Sequence, residues 1–177
     1  MSKNLIIYYS RRGQNYVDGS IKDLEKGNVE VIVEYIKNTI DCDLFEIKTV
    51  KEYSKDYMTC IKEAKEDISN NERPKLKEYL DSIDKYENII VAGPCWWGTY
   101  PYAIFSQLEK LNFTNKNIFP IMSHEGSGLA NSVEDLKKNC EGATIKEGLA
   151  IKGSSVKQSK DVITRWTINN LKWGRYD

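Results

Sequence analysis

The sequence has one histidine, four cysteines and no net charge, and each scarcity removes a class of function. Lys+Arg and Asp+Glu stand at 26 each. The chain therefore lacks the basic excess that drives nonspecific nucleic-acid binding through counterion release. It also lacks a strongly acidic docking surface. No apolar run reaches the length of a membrane span, and the opening MSKNLIIYYSRRG turns polar too soon for a signal-peptide core. These absences predict a cytoplasmic protein without nucleic-acid or membrane partners. Cys42, Cys60, Cys95 and Cys140 form no C-x-x-C pair, so neither a zinc site nor a dithiol centre is expected, and reduced, mostly buried thiols are. Neither G-x-x-x-x-G-K-S/T nor G-x-G-x-x-G occurs, which removes the Walker loop and the dinucleotide fingerprint.

What is present is an ordinary globular composition, 40% apolar and 29% charged over 177 residues, enough for one domain with a proper core. Five short apolar runs stand out: Leu5–Tyr9, Asp43–Ile47, Tyr86–Ala92, Asn117–Met122 and Ile145–Ile151. Several stop abruptly at Gly, Pro or Ser, as strands buried on both faces do. Helical patterns alternate with them. Val29, Ile32, Val33, Ile36 and Ile40 form one stripe within 27–40, with Asn28 placed as its N-cap. Charge-rich 54–68 reads as a surface helix. Pro101 suits the first position of a helix carrying Ile104, Leu108 and Leu111. Leu129, Val133, Leu136 and Cys140 repeat that spacing, and a last helix runs to about Leu171 before the tail KWGRYD, expected to fray.

Strands alternating with helices predict an α/β fold: a doubly wound, five-stranded parallel sheet with helices on both faces. One segment interrupts the pattern. Residues 14–26 delay the first helix by about a dozen residues, long for a strand-to-helix connection. The chain thus reads as a single domain, 1–177, with an insertion at 14–26 that could be a partner-facing loop or a lid.

In open α/β sheets, ligands bind beyond the carboxyl ends of the strands where strand order reverses. For the order 2-1-3-4-5, three distinctive strand ends become neighbours. The first holds Ser10, Arg11, Arg12, Gly13 and Asn15, and Gly27-Asn28 later opens the helix. Hydroxyls, free amides and a helix N-terminus suit a phosphate, although Ser10 and Gly13 also suit a plain turn. The second reads GPCWWGTYP, residues 93–101. Two indoles at the mouth of a sheet cannot both be claimed by the core, and one there can stack on a flat ring; the alternative is one indole in the core and the other capping a helix. Gly98 permits an unusual backbone angle or a close approach to a ligand. The third, SHEGSG at 123–128, supplies hydroxyls and backbone donors for a polar ring edge, and holds the only histidine. His124 beside Glu125 could be an acid/base pair or simply a surface residue.

A flat ring, a polar ring edge and a phosphate together describe flavin mononucleotide. Here IIYYSRRGQNY, GNVEVIVEYI, NIIVAGPCWWGTYP and IFPIMSHEGSG resemble the flavodoxin family, in the branch whose third-strand loop reads P-x-W-W-G-x-x-P. The similarity runs from Leu5 to Leu171. It implies a flavodoxin-like fold with FMN as cofactor. It implies a phosphate held by Ser10, Arg11, Arg12 and Asn15, with Asn28 and Val29 continuing that loop at the helix start. The family's G-N-T is Gly27-Asn28-Val29 here, so its hydroxyl is missing at Val29. The resemblance further implies that Pro94, Cys95, Trp96, Trp97 and Gly98 flank the flavin ring, with Trp97 stacking and the Gly98 peptide near flavin N5. Ser123, His124, Glu125, Gly126 and Gly128 would line the pyrimidine edge. The tyrosine that many flavodoxins stack on the other face is not found in SHEGSG, which implies one open face.

Two redox roles follow. One is an electron carrier serving a redox partner protein. The other is an FMN-dependent quinone- or nitro-type oxidoreductase that takes electrons from NAD(P)H and passes them to a small molecule. Neutral charge and the missing tyrosine favour the second; the retained Trp-Gly peptide favours the first. The flavin supplies the chemistry, so no side chain is assigned as catalytic and no metal is expected. A monomer and a homodimer both fit. A non-redox binding module on the same fold is a third reading. A receiver domain needs acidic residues where Ser10-Arg11 and Gly93-Pro94 stand. A low-mass tyrosine phosphatase needs C-x-x-x-x-x-R, but Lys48, Glu66, Pro101 and Lys146 follow the four cysteines at that spacing.

Overall fold

The computed structural model describes residues 2–172. Its sheet is built on β1 (Asn4–Tyr8), β5 (Asn88–Pro94) and β6 (Asn117–His124), with β4 (Asp43–Glu46) beside β1. All pairings in this sheet are parallel. The expected fifth strand is two short pieces, β7 (Thr144–Ile145) and β8 (Leu149–Lys152), pairing successive stretches of β6. Gly148 lies at the break, where a Cβ would meet the Pro120 carbonyl at 2.9 Å. The order 2-1-3-4-5 therefore holds, with its last member split.

The apolar runs become central strands for the expected reason. Leu5, Ile6, Ile7, Ile89, Ile90, Val91, Ile118 and Ile121 are all essentially inaccessible, and alternate residues serve opposite faces. Leu5, Ile7, Ile89 and Val91 pack with Ile104, Leu108 and Phe113 on one side. Ile6, Ile90 and Ile121 pack with Val29, Ile32, Ile36 and Ile163 on the other. Helices thus cover both faces: α1 (Asn28–Lys37), α2 (Tyr57–Ser69), α3 (Tyr102–Leu108), α4 (Ser132–Asn139) and α5 (Lys160–Thr167). A 3₁₀ turn, Gly153–Gln158, precedes α5 and a π-helical turn, Ile168–Lys172, follows it. Residues 173–177 of the tail lie outside the described residues.

Three boundaries differ from the sequence reading. Asn28 does not cap α1. Gly27 is the N-cap and makes no side-chain bond there, while Ser10, arriving from the end of β1, accepts from the Glu30 amide at 3.1 Å. A residue 20 positions away thus supplies the capping oxygen that the N-cap would normally provide. Gly27 is what permits this crossing, since a Cβ would fall 2.1 Å from Ser10 Oγ and 2.7 Å from the Arg11 carbonyl. Pro101 sits at the N-cap of α3, not inside it. α4 begins at Ser132, three residues after Leu129.

The insertion is an antiparallel hairpin, β2 (Gly13–Val17) and β3 (Ser20–Leu24), separate from the main sheet. Its Asp18-Gly19 turn has φ of 51° and 85°, the signature of a type I′ hairpin connection. No helix among the described residues is long and apolar enough to cross a membrane.

Candidate functional site

Because β1, β5 and β6 run in register, their ends stand side by side, with Tyr8 against Ala92 and Pro94 against Ser123. The loops that follow enclose a cleft of about 460 Å³, within the range of small-molecule sites. The hairpin and α2 complete its wall.

The tryptophan loop is a tight turn. Trp96 and Thr99 exchange backbone hydrogen bonds of 2.8 and 3.3 Å, and the two residues between them, Trp97 and Gly98, have φ of 56° and 83°. Both values again match a type I′ turn. For a bulky residue such as Trp97 this is an outlier, costing about 1–2 kcal/mol. The turn sends the two indoles in different directions. Trp96 packs edge-on against Tyr9 and Tyr53, with ring centres 5.2 and 5.0 Å away. Trp97 is 53% exposed. Its Nε1 donates to the Ile61 carbonyl of α2 at 2.9 Å, and Lys65 Nζ lies 4.9 Å from the ring centre. The Gly98 carbonyl accepts from Asn131 N at 2.9 Å. The Trp97 carbonyl and Gly98 amide find no partner among the described residues.

In the third loop, the Gly126 amide donates to His124 Nδ1 at 2.9 Å. An accepting Nδ1 puts the ring proton on Nε2, and burial lowers the His124 pKa, which also favours the neutral ring. His124 is not in hydrogen-bond contact with the Glu125 carboxylate, so the two do not form a pair. Glu125 Oε2 accepts from the Asp18 amide at the hairpin tip, 3.3 Å away. Its Oε1 is buried without a partner among the described residues. Gly153 makes room for this arrangement: a Cβ there would fall 2.4 Å from Asn28 Nδ2 and 2.6 Å from Glu125 Oε1. Ser127 Oγ donates to Cys95 Sγ at 3.2 Å. Gly126 and Gly128 both have positive φ, and nothing lies within 4 Å of where their Cβ atoms would stand.

The first loop is braced. Arg11 Nε donates to the Gln14 carbonyl at 2.8 Å, and its Nη2 donates to the carbonyls of Ser54 and Lys55. Asn15 Nδ2 donates to the carbonyls of Arg11 and Gly13. Arg12 pairs with Glu30 at 2.5 Å, holding the Glu30 carboxyl below its ordinary pKa.

The cleft therefore gathers Arg11, Asn15, Asn28, Pro94, Cys95, Trp96, Trp97, Ser123, His124, Glu125 and Gly126 from the predicted set. Ser10, Arg12, Val29, Gly98 and Gly128 do not line it. Ser10 is engaged at α1, Arg12 faces Glu30, and the Val29 side chain is buried in the core. Ser127, in the predicted 123–128 loop, lines the cleft as well; the residues that sequence reasoning missed are Tyr16, Tyr57, Cys60, Ile61 and Ala64. Two signals pointed to some of them. Asp18-Gly19 marks a hairpin turn, and Tyr57, Ile61 and Ala64 share a helix face at i, i+4, i+7. Three cysteines are buried and Cys95 half-buried, all as free thiols; burial pushes Cys60 up to about 11.

No match was found among curated proteins. Solved structures do resemble this one. A candidate flavoprotein of Bacteroides uniformis is 21% identical, with 93% of this chain and 96% of that chain covered and a TM-score of 0.71. A flavoprotein of Lactobacillus acidophilus, solved in complex with FMN, is 20% identical over 89% of this chain and 98% of that chain, with a TM-score of 0.62. The oxidised flavodoxin 1 of Bacillus cereus is 15% identical over 97% and 99%, with a TM-score of 0.53. At these identities the likeness establishes a common α/β fold. The flavodoxin family model, in contrast, matches the sequence itself over residues 24–170, and by that match the chain belongs to the flavodoxin family.

Proposed function

We propose that the cleft binds FMN and that the protein passes electrons through it. One observation carries the reading: an exposed indole held in a costly backbone conformation at the mouth of the sheet, beside a loop of open glycines. A fold does not keep about 1–2 kcal/mol of strain to expose Trp97 unless the exposed ring has work to do. A planar ring against it is the simplest such work.

The remaining parts fit FMN. The volume suits a mononucleotide. Arg11, Asn28 and the first amides of α1 offer positive charge and donors for a phosphate, while both Asn15 Nδ2 protons go to the carbonyls of Arg11 and Gly13. The backbone of Ser123–Gly128 and its two hydroxyls suit the polar edge of the ring. FMN, when bound, accepts and releases electrons in one- or two-electron steps. This chain's residues orient it and set the cost of charge on it. Trp97, apolar and electron-rich, disfavours added negative charge on a ring against it. The unpartnered peptide between Trp97 and Gly98 is free to turn either its carbonyl or its amide to the ring edge, and so to answer a change in protonation there.

That free peptide favours the electron carrier over the oxidoreductase. Reductive titration of the FMN-loaded protein tests it. Two resolved one-electron stages are expected. Direct two-electron bleaching by NAD(P)H, with no intermediate stage, would favour the oxidoreductase.

A further inference from the structure

The third loop supplies no aromatic ring to oppose Trp97, which on sequence grounds leaves one face of the cofactor open. The structure brings in aromatic rings from elsewhere. Tyr16 of the hairpin stacks on Tyr57 of α2, with ring centres 6.2 Å apart and planes within 23°, and both line the cleft that Trp97 lines. Resting on the FMN reading above, we propose that the hairpin is the outer wall of the cofactor site and that Tyr16, backed by Tyr57, is the aromatic surface opposing Trp97.

Three observations support this. The first is placement. Trp97 is anchored to the carbonyl of Ile61, and Tyr57 stands one turn earlier on the same helix, so α2 brings Trp97 and the Tyr57–Tyr16 pair to one cleft. The second is that the hairpin is pinned in place. At its base Gln14 Oε1 accepts from the Tyr57 amide at 2.7 Å, and Arg11 ties Gln14 to Ser54 and Lys55. At its tip Asp18 N reaches Glu125 on the opposite side of the cleft. The hairpin thus links α2 to the third loop. The third is what lies under that tip: the buried Glu125 Oε1, without a partner among the described residues, an acceptor that a ligand hydroxyl or ring N–H would satisfy. Tyr16 itself stays 45% exposed, so its ring is held without being consumed by packing.

The test is FMN affinity by flavin-fluorescence titration, with iodide quenching of the bound flavin, for wild type, Tyr16→Ala, Tyr16→Phe and Tyr16→Leu. Tyr16→Ala should bind FMN roughly 5- to 100-fold more weakly, the worth of one stacked aromatic, and its bound flavin should become more accessible to iodide. Tyr16→Phe should restore both readouts. Tyr16→Leu retains apolar bulk to hold the hairpin but has no ring, and should remain weak. Wild-type affinity and shielding in Tyr16→Ala, or full rescue by Tyr16→Leu, would overturn the assignment while leaving the FMN site intact. Failure of the wild type to bind FMN would overturn the site itself and this wall with it.

Discussion

The central strands and the rim of the cleft obey opposite rules, although they are separated by only a few residues. In the interiors of β1, β5 and β6 the side chains are buried and the backbone is ladder-bonded along its length. Tyr100, fully buried, places its hydroxyl 3.0 Å from the carbonyls of Val91 and Ile121. At the rim the same chain adopts positive φ at Gly13, Asp18, Gly19, Trp97, Gly98, Gly126, Gly128 and Ala130. There it exposes an indole and, among the described residues, leaves a peptide unbonded and a buried carboxylate oxygen without a partner. The strands are built for stability. The rim spends some of it on presenting groups that stability alone would hide.

That contrast can be broken by mutation. The largest effect belongs to the strands: Ile90→Ala should cost about 2–5 kcal/mol of folding stability, measured by chemical denaturation, while the folded fraction keeps its FMN affinity. Trp97→Gly should do the reverse. FMN binding should weaken by about 1–3 kcal/mol. Stability should change little, because relief of about 1–2 kcal/mol of strain offsets a hydrogen bond worth about 0.5–1.5 kcal/mol. A large loss of stability in Trp97→Gly would mean that the indole serves packing. Ser10→Ala removes the oxygen that caps α1 from β1 and should cost about 1 kcal/mol, visible as a lower Tm.

The pH response is smaller and has a definite sign. Burial lowers the His124 pKa below its ordinary 6.5, so the unfolded chain binds the proton more readily than the folded one. The resulting stability is present above pH 6.5 and is lost as pH falls through the folded-state value. Protonation also removes the Nδ1 acceptor that the Gly126 amide uses, so FMN affinity should decline over the same acid range. His124→Gln should flatten that decline. The smallest effect is expected from Arg12→Gln. Arg12 is paired with Glu30 outside the cleft, and FMN affinity should not move.

The same division explains what could be read in advance. The strands and both helical layers were legible because apolar runs and 3.6-residue stripes record burial directly; the strand order came only with the resemblance to a family. The Trp-Trp-Gly and SHEGSG loops were legible because indoles and glycines at strand ends are hard to explain by packing. What stayed hidden depends on contacts between distant segments. Nothing local says that Ser10 will cap a helix beginning at Asn28, or that Arg12 will be taken by Glu30. The fifth strand is split into Thr144–Ile145 and Leu149–Lys152, with Gly148 passing close to Pro120 at the break, which the run Ile145–Ile151 does not reveal. Tyr16 and Tyr57 lie 41 positions apart in the sequence and become one surface only when the hairpin folds onto α2.

The most direct test of the account is to titrate FMN into the purified wild-type protein and follow tryptophan and flavin emission together. Trp97 against a flavin ring predicts that both emissions are quenched in parallel, saturating at one FMN per chain. Flavin emission that stays at its free-solution level throughout the titration would contradict the central claim that the exposed indole is there to meet that ring.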